Sequence, residues 1–584
     1  MQLLSGNEAI AQGAWEAGAR IGVGYPGTPS TETMESFGAK ENVYAEWCAN
    51  EKVAVEVAVG ASAAGARVLA TMKHVGVNVA ADPLYTAAYT GVNGGLVVLA
   101  ADDPGMHSSQ NEQDTRFHAQ GAHIPVVEPS DSAEAREYTM QAFEASERFD
   151  IPFFVRSTVR VSHAKSPVEV GERTERDLIP YEKDPSKWVM MPAYAKPRRT
   201  SLDARIAQVA QWAETSPLNR LELNDTSIGV ICAGASYQYV RDALPNASIL
   251  KLGITWPIAT GIIAKLANHV DALYVVEEGS DYLSMQIKAT GVAVSEPPAH
   301  ALPKEGELTP GIIRSAFGLA LPEELPTQQD VPGRPPALCA GCPHRLVFKE
   351  LSRAKCIVTG DIGCYTLGAL PPLAGMDSTL DMGASISMAH GFELALAGTE
   401  HHPIVAVIGD STFGHSGFTS LLSTAYNKGA GTICILDNRT TGMTGHQGNP
   451  FNGITLQNRP SRELDLEGMV RSLGISDVQV VNPNNMKDVR AAIKGATSRT
   501  EELSVIIFRS PCVLLKKVFE RQAPYTITSD CRACGVCVTL GCPAIARIEE
   551  TGEACIDPDQ CVGCGQCQAY CGFGAIVRME GALR

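Results

Sequence analysis

At 584 residues the chain is too long for one hydrophobic core and calls for roughly three to five domains. Its 45% hydrophobic and 19% charged residues are ordinary for a globular protein, and 64 acidic against 48 basic side chains leave a formal charge of −16. That balance excludes a general nucleic-acid surface, which needs a basic stripe to displace counterions.

No run approaches the roughly 18 apolar residues that cross a bilayer, and residues 1–13 lack the basic and apolar regions of a secretory leader. The expected location is cytoplasmic, with no membrane and no nucleic acid among the partners. Of 17 cysteines, nine fall between positions 531 and 571; in a reducing compartment such crowding reads as metal ligation.

In chain order, residues 1–190 alternate apolar runs (Leu96-Val97-Val98-Leu99-Ala100, Pro152-Phe153-Phe154-Val155) with Ala-rich helical stretches, the pattern of α/β units. A polar, Pro-containing stretch, 180–200, reads as a linker. Residues 201–325 form a smaller α/β unit, with strands expected at 228–232 and 272–276. The Pro-rich run 322–336 separates the halves. Residues 337–520 again read α/β, with buried parallel strands at 404–408 and 432–436. Residues 522–584 are rich in Cys and Gly and contain two similar cysteine runs.

Those runs carry the strongest chemistry. Cys531, Cys534 and Cys537 follow a C-x2-C-x2-C pattern and are succeeded by Cys542-Pro543; Cys561, Cys564, Cys567 and Cys571 repeat it. Thiolates two residues apart on a tight loop grip one face of a [4Fe–4S] cube, and in two-cluster ferredoxins the last Cys of each run serves the other cube. Cys531, Cys534, Cys537 and Cys571 are therefore assigned to one cluster, and Cys542, Cys561, Cys564 and Cys567 to a second. Structural zinc also favours C-x2-C pairs, but triplets do not divide neatly into four-cysteine zinc sites. The four-residue gap before Cys542, and Gly572 in place of a Pro, depart from the bacterial pattern. Cys555 lies outside it.

Upstream, Gly409-Asp410-Ser411 is expected at a strand end, and Asp437-Asn438 ends another strand 27 residues after Asp410. Asp410 and Asn438 offer the hard oxygen ligands that Mg²⁺ prefers, and the Thr440 carbonyl would complete the protein's share. Gly409 would let the backbone approach a diphosphate, favoured by the helix start that follows. The bland reading is an ordinary strand-to-helix turn. Near the start, Gly22, Gly24 and Gly27 satisfy G-x-G-x-x-G, but the short strand and two interrupting prolines argue against a dinucleotide site.

The spacing of Gly-Asp-Ser and Asn438 resembles the thiamine diphosphate motif of the transketolase-like superfamily. Glu51, Ala54, Ala58 and Gly60 match its E-x2-A-x3-A-x-G helix, whose Glu activates the cofactor's aminopyrimidine. Tyr25-Pro26-Gly27-Thr28-Pro29-Ser30 and the run Thr440 to Gln447, with Met443 and Thr444, resemble loops of the 2-oxoacid:ferredoxin oxidoreductases. Asp102-Asp103-Pro104-Gly105-Met106-His107-Ser108-Ser109-Gln110 looks like the indolepyruvate branch. By this resemblance, to the large (alpha) subunit and over nearly the whole chain, Thr28 contacts cofactor or substrate. His107 is a candidate for proton transfer, with a solvated loop histidine as the alternative. Gly409, Asp410, Ser411, Asn438, Thr440, Met443 and Thr444 bind the cofactor. Pyruvate enzymes carry Asn where this chain has Met443, a change that fits a larger, more apolar substrate. The same resemblance implies a third cluster on Cys339, Cys342, Cys364 and Cys512, against the alternative of buried thiols.

The implied architecture is α/β: two thiamine-diphosphate-binding domains (1–190 for the pyrimidine, 337–520 for diphosphate and magnesium), an intervening transketolase C-terminal-like domain (201–325), and a two-cluster ferredoxin-like α+β tail (522–584). The implied activity is oxidative decarboxylation of indolepyruvate and related arylpyruvates to aryl-acetyl-CoA and CO2, using coenzyme A and passing electrons to ferredoxin. A small beta subunit and a heterotetramer with two copies of this chain are implied too. An aliphatic 2-oxoacid substrate, or a non-redox decarboxylase, is the alternative; the cysteine-rich tail speaks against the second.

Overall fold

The computed structural model of the chain describes residues 1–321 and 335–579, in two compact units, Met1–Gln328 and Gln329–Arg584. The first is built on a seven-stranded sheet in the order Ile254–Trp256, Val126–Val127, Phe153–Thr158, Leu96–Asp102, Val68–Lys73, Ile21–Gly24, Tyr44–Trp47. Six strands are parallel, and Ile254–Trp256 pairs antiparallel at the edge. Val68–Lys73 and Leu96–Asp102 are buried along their whole length, which is why they read as unbroken apolar runs. A four-stranded sheet (Ala272–Val276, Asp225–Cys232, Ala247–Lys251, Arg220–Glu222) has its own core around Val230, Ile249, Val276 and Ile313.

The stretch 180–200, expected as a linker, is instead docked. Helices run over Pro185–Trp188 and Pro192–Ala213. Pro192 occupies the first helical position, where a missing N–H costs nothing. Lys187, Arg198 and Arg205 all converge on Asp150. The Pro-rich run 322–336 lies, except for its last two residues, outside the described residues.

Where strand Leu96–Asp102 ends, buried ions fix the loop that follows. Asp102 closes the strand, and Asp114 caps helix Thr115–Ala122. Arg156 Nε lies 2.6 Å from Asp102 and 3.7 Å from Asp114; Arg116 Nη2 lies 2.6 Å from Asp114 and 3.2 Å from Glu277. Both ends of loop 103–113 are thereby pinned. Glu128 and Glu278 join the network, so five carboxyls (Asp102, Asp114, Glu128, Glu277, Glu278) face two guanidiniums. Burial pushes Glu277 and Glu278 each up to about 7.

The second unit holds a five-stranded, wholly parallel sheet in the order Ile357–Thr359, Ile404–Gly409, Gly431–Asp437, Leu503–Arg509, Asp477–Val481. The tail pairs Tyr525–Ile527 with Ile576–Arg578 and Ile545–Arg547 with Ala554–Ile556, joining its first strand to its last. It is docked on helix His344–Arg353: Leu346 enters the tail's small core, and buried Arg345 donates to the carbonyls of Leu540 and Gly541, each at 2.7 Å. Among the described residues no helix is long and apolar enough to cross a membrane.

Removing Arg156 leaves buried carboxylates without their counter-charge. Arg156→Leu is expected to cost about 3–5 kcal/mol, read as a lowered unfolding temperature by calorimetry. For Glu277 and Glu278 the folded pKa lies above the unfolded value, so their contribution is complete at low pH and is lost as pH rises through about 7. The unfolding temperature should therefore fall between about pH 4.5 and 7 and level off above that, and fall less when both residues are replaced by Gln.

Candidate active site

In the first unit the candidate residues gather at the carboxyl edge of the parallel sheet, the usual place for ligands in such folds. Glu51 opens helix Glu51–Ala63, which Asn50 caps through its bond from Val53 N–H, and it is 5% exposed. Its carboxyl lies directly over Gly76, where a Cβ would stand 2.6 Å from Oε1. Glu56, one turn on, is exposed and paired with Lys52. Thr28 lies on the loop after Ile21–Gly24, and its carbonyl accepts a bond from Ser108 Oγ at 3.4 Å. His107 sits on the pinned loop but is half-exposed, 3.1 Å from Glu307, which also holds Arg160. A solvent-facing contact with Glu307, not burial beside Glu51, is the environment the structure gives this histidine.

In the second unit Gly409 ends its strand and Asp410 begins the helical segment that follows. Asp410 is 2% exposed. Burial first, and then the Asp437 carboxylate, push its carboxyl up to about 7. It accepts bonds from Asn449 Nδ2 at 3.0 Å and from the backbone N–H of Ser411 and Arg439. Asp437 gives one oxygen to Arg509 Nε at 2.6 Å; its other oxygen is buried without a partner among the described residues. Two buried acids, one with an orphaned oxygen, make a place where a divalent cation relieves both repulsion and desolvation. The donors present thus fit magnesium.

Asn438 Oδ1 accepts Thr440 N–H at 3.2 Å, and its Nδ2 lies 3.4 Å from His344 Nε2. Ser411 Oγ meets Thr441 Oγ1 at 2.8 Å. The Thr440–Gln447 loop closes on itself through Thr444 Oγ1 to Gln447 Oε1 at 2.6 Å, leaving Met443 half-exposed. Gly409 is constrained by packing as well. A Cβ there would meet the Tyr365 ring at 2.6 Å, so close packing of that ring also demands the glycine. Asp437, Asn449 and His344 were not picked out as site residues, although Asp437 adjoins Asn438 and His344 follows Cys342-Pro343.

Cys339, Cys342, Cys364 and Cys512 lie beside this site within electrostatic reach of one another. Burial pushes Cys364 up to about 11, with Cys512 and Cys339 adding to the shift; it pushes Cys342 up to about 12, with Cys339 and Cys364 adding. Cys512 is raised by burial, by Cys339 and by Asp410. Cys512 N–H donates to the Asn438 carbonyl at 3.0 Å, and a Cβ on Gly442 would lie 3.3 Å from Cys364 Sγ. In the tail, Cys542, Cys561 and Cys564 act together on Cys567, while Cys534 and Cys571 act on Cys537. The tail meets the upstream set closely: Gln566 Nε2 donates to the Cys342 carbonyl at 3.1 Å, and a Cβ on Gly341 would lie 3.6 Å from Cys564 Cβ.

Three family models match the chain in the order the fold runs: "Pyruvate flavodoxin/ferredoxin oxidoreductase, thiamine diP-bdg" over residues 12–216, "Thiamine pyrophosphate enzyme, C-terminal TPP binding domain" over 361–508, and "4Fe-4S binding domain" over 554–577. With the sheets and sites above they define a thiamine-diphosphate-dependent 2-oxoacid oxidoreductase with a ferredoxin-like, iron–sulfur tail. Indolepyruvate oxidoreductase subunit IorA of Archaeoglobus fulgidus is 38% identical over 98% of this chain and 97% of its own length; that of Pyrococcus horikoshii is 39% identical over 100% and 97%. The chain belongs to this indolepyruvate oxidoreductase family, within the 2-oxoacid:ferredoxin oxidoreductases. The 2-oxoglutarate synthase subunit KorA of Methanothermobacter marburgensis is similar over a narrower span, at 24% identity across 52% of this chain and 94% of its own.

Asp410→Ala is expected to reduce retention of thiamine diphosphate and magnesium in the purified protein by more than about tenfold. Asp437→Asn, which removes charge without changing shape, should weaken magnesium retention as well. Full retention in both variants would refute a metal site here.

Proposed function

We propose that this chain, with a small partner subunit, oxidatively decarboxylates arylpyruvates such as indolepyruvate. One 2-oxoacid and coenzyme A give one aryl-acetyl-CoA and CO2, and two electrons leave singly to ferredoxin. The observation that carries this reading is the gathering of Cys339, Cys342, Cys364 and Cys512 against Asn438, Gly442 and Asp410. A decarboxylase without redox chemistry has no use for thiols packed beside its diphosphate site and a cysteine-rich tail packed on those thiols.

Each group has a proposed set of holders that the geometry supports. Bound thiamine diphosphate supplies an electron sink for decarboxylation. Glu51, kept from water over Gly76, would hydrogen-bond the aminopyrimidine nitrogen, with Thr28 on the neighbouring loop touching cofactor or substrate. Asp410, Asn438 and the Thr440 carbonyl would hold magnesium; Ser411, Thr444 and Met443 would line the cofactor and substrate space. Cys531, Cys534, Cys537 and Cys571 would hold one [4Fe–4S] cluster. Cys542, Cys561, Cys564 and Cys567 would hold a second, and the four upstream cysteines a third; such clusters supply one-electron carriers. Half-exposed Met443 supports an apolar aryl substrate. The name of the relatives, a subunit, supports a heteromeric assembly.

The test is oxygen-free purification with the partner subunit, then a panel of 2-oxoacids assayed with coenzyme A and a low-potential dye. Arylpyruvates are expected to turn over fastest; preference for pyruvate or 2-oxoglutarate would overturn the substrate assignment. Glu51→Gln should abolish turnover with iron content unchanged. Iron should amount to about twelve atoms per chain, falling to about eight when Cys364 and Cys512 are replaced by Ser; about eight already in the unaltered chain would remove the third cluster.

A further inference from the structure

The sheet edge that carries Glu51 also carries a lysine that the chemistry above does not use. Lys73 is the last residue of strand Val68–Lys73 and is 8% exposed. The chain frames it from both sides of the site. A Cβ on Gly27, in the Thr28 loop, would lie 3.0 Å from Lys73 Cβ, and three residues beyond Lys73 comes Gly76, against which the Glu51 carboxyl rests. Lys73 therefore stands between the loop of Thr28 and the start of the Glu51 helix.

An ammonium has three donors. Among the described residues one is accepted, by the Ser108 carbonyl at 2.7 Å. Asp103 acts on Lys73 through space, but its oxygens are engaged by the N–H groups of His107 and Ser108 and by Ser109 Oγ. Burial pushes the lysine down to about 8 against the opposing pull of Asp103, which leaves it mainly charged at neutral pH. Beside it, His74 is 1% exposed; its Nε2 meets the Asn111 carbonyl at 3.1 Å, and its Nδ1 has no partner among the described residues. A buried cation with open donors, next to a second buried polar atom without a partner, is costly unless a ligand satisfies them.

We infer that Lys73 is the cation that receives the carboxylate of the 2-oxoacid, a role that rests on the function proposed above. Every such substrate brings a carboxylate into a site where Glu51 and Asp103 are already acidic, and desolvating it there needs an opposite charge on the protein. Held by Lys73, the carboxylate fixes which end of the substrate enters, leaving the aryl group to the rest of the pocket. The pinned loop contributes by placing the Ser108 carbonyl, which aims the ammonium.

The test uses the full chain with its partner subunit and a non-reacting pair, 3-phenylpropanoate and its neutral amide, titrated calorimetrically. The wild type is expected to bind the acid roughly tenfold or more tighter than the amide, the worth of a charge-assisted bond. Lys73→Met should abolish that preference by weakening the acid alone, and Lys73→Arg should restore part of it. Preference retained in Lys73→Met, no preference in the wild type, or loss of the amide together with the acid would each overturn the assignment. Wild-type turnover of phenylpyruvate, measured alongside, separates the two readings: absence of any turnover defeats the proposed function, whereas turnover with an unchanged acid-to-amide ratio in Lys73→Met defeats only the role of Lys73.

Discussion

Carboxyl groups removed from water at the carboxyl edges of two parallel sheets set the terms for this molecule, because each must find a counter-charge, keep its proton, or wait for a ligand. The first unit uses the first two, and hydrogen bonds besides. Asp102 and Asp114 are answered by Arg156 and Arg116, Glu277 and Glu278 are pushed toward neutrality, and Asp103 is satisfied by its own loop. Since Asp102 and Asp114 bracket loop 103–113, the network that balances the charge also fixes the loop. The position of the Ser108 carbonyl under Lys73, and of Ser108 Oγ beside Thr28, follows from that anchoring.

The second unit answers the same problem less completely. Among the described residues Asp437 has one guanidinium partner and one oxygen without a partner, and Asp410 has amide donors but no cation. The shortfall is local and lies where the proposed magnesium would sit. The thiols nearby show the related logic for soft ligands: burial raises Cys342, Cys364 and Cys512, so iron rather than an apolar interior is what would favour their thiolate form. Cys342 is buried under the tail and Gln566 ties the tail to it, whereas Cys534, in the other run, is exposed.

Much of this was legible before any coordinates, for a definite reason. Parallel strands buried on both faces announce themselves as apolar runs, and the runs at 96–100, 228–232, 272–276, 404–408 and 432–436 all lie in strands. Other features were not. The stretch 180–200 looked like a tether because its prolines and charges are unexceptional alone; its docking depends on Asp150, which collects Lys187, Arg198 and Arg205. The edge strand Ile254–Trp256 is too short to signal itself and joins the first sheet only through Val126–Val127. That Gly409 must also leave room for the Tyr365 ring, 44 positions earlier, was not visible in the sequence.

Sequence alone determined what is encoded within a few dozen residues: the alternation of strands and helices, the cysteine runs, the Asp410–Asn438 pair and the helix headed by Glu51. These are local because ligand spacing on a loop and burial of a strand are local properties. Tertiary structure alone decided which other distant groups share a site: Asn449 and Asp437 with Asp410, His344 with Asn438, and Lys73 with the loops of Thr28 and Ser108. Those meetings depend on strand order and on the pairing of buried charges, and neither leaves a periodic trace in the chain.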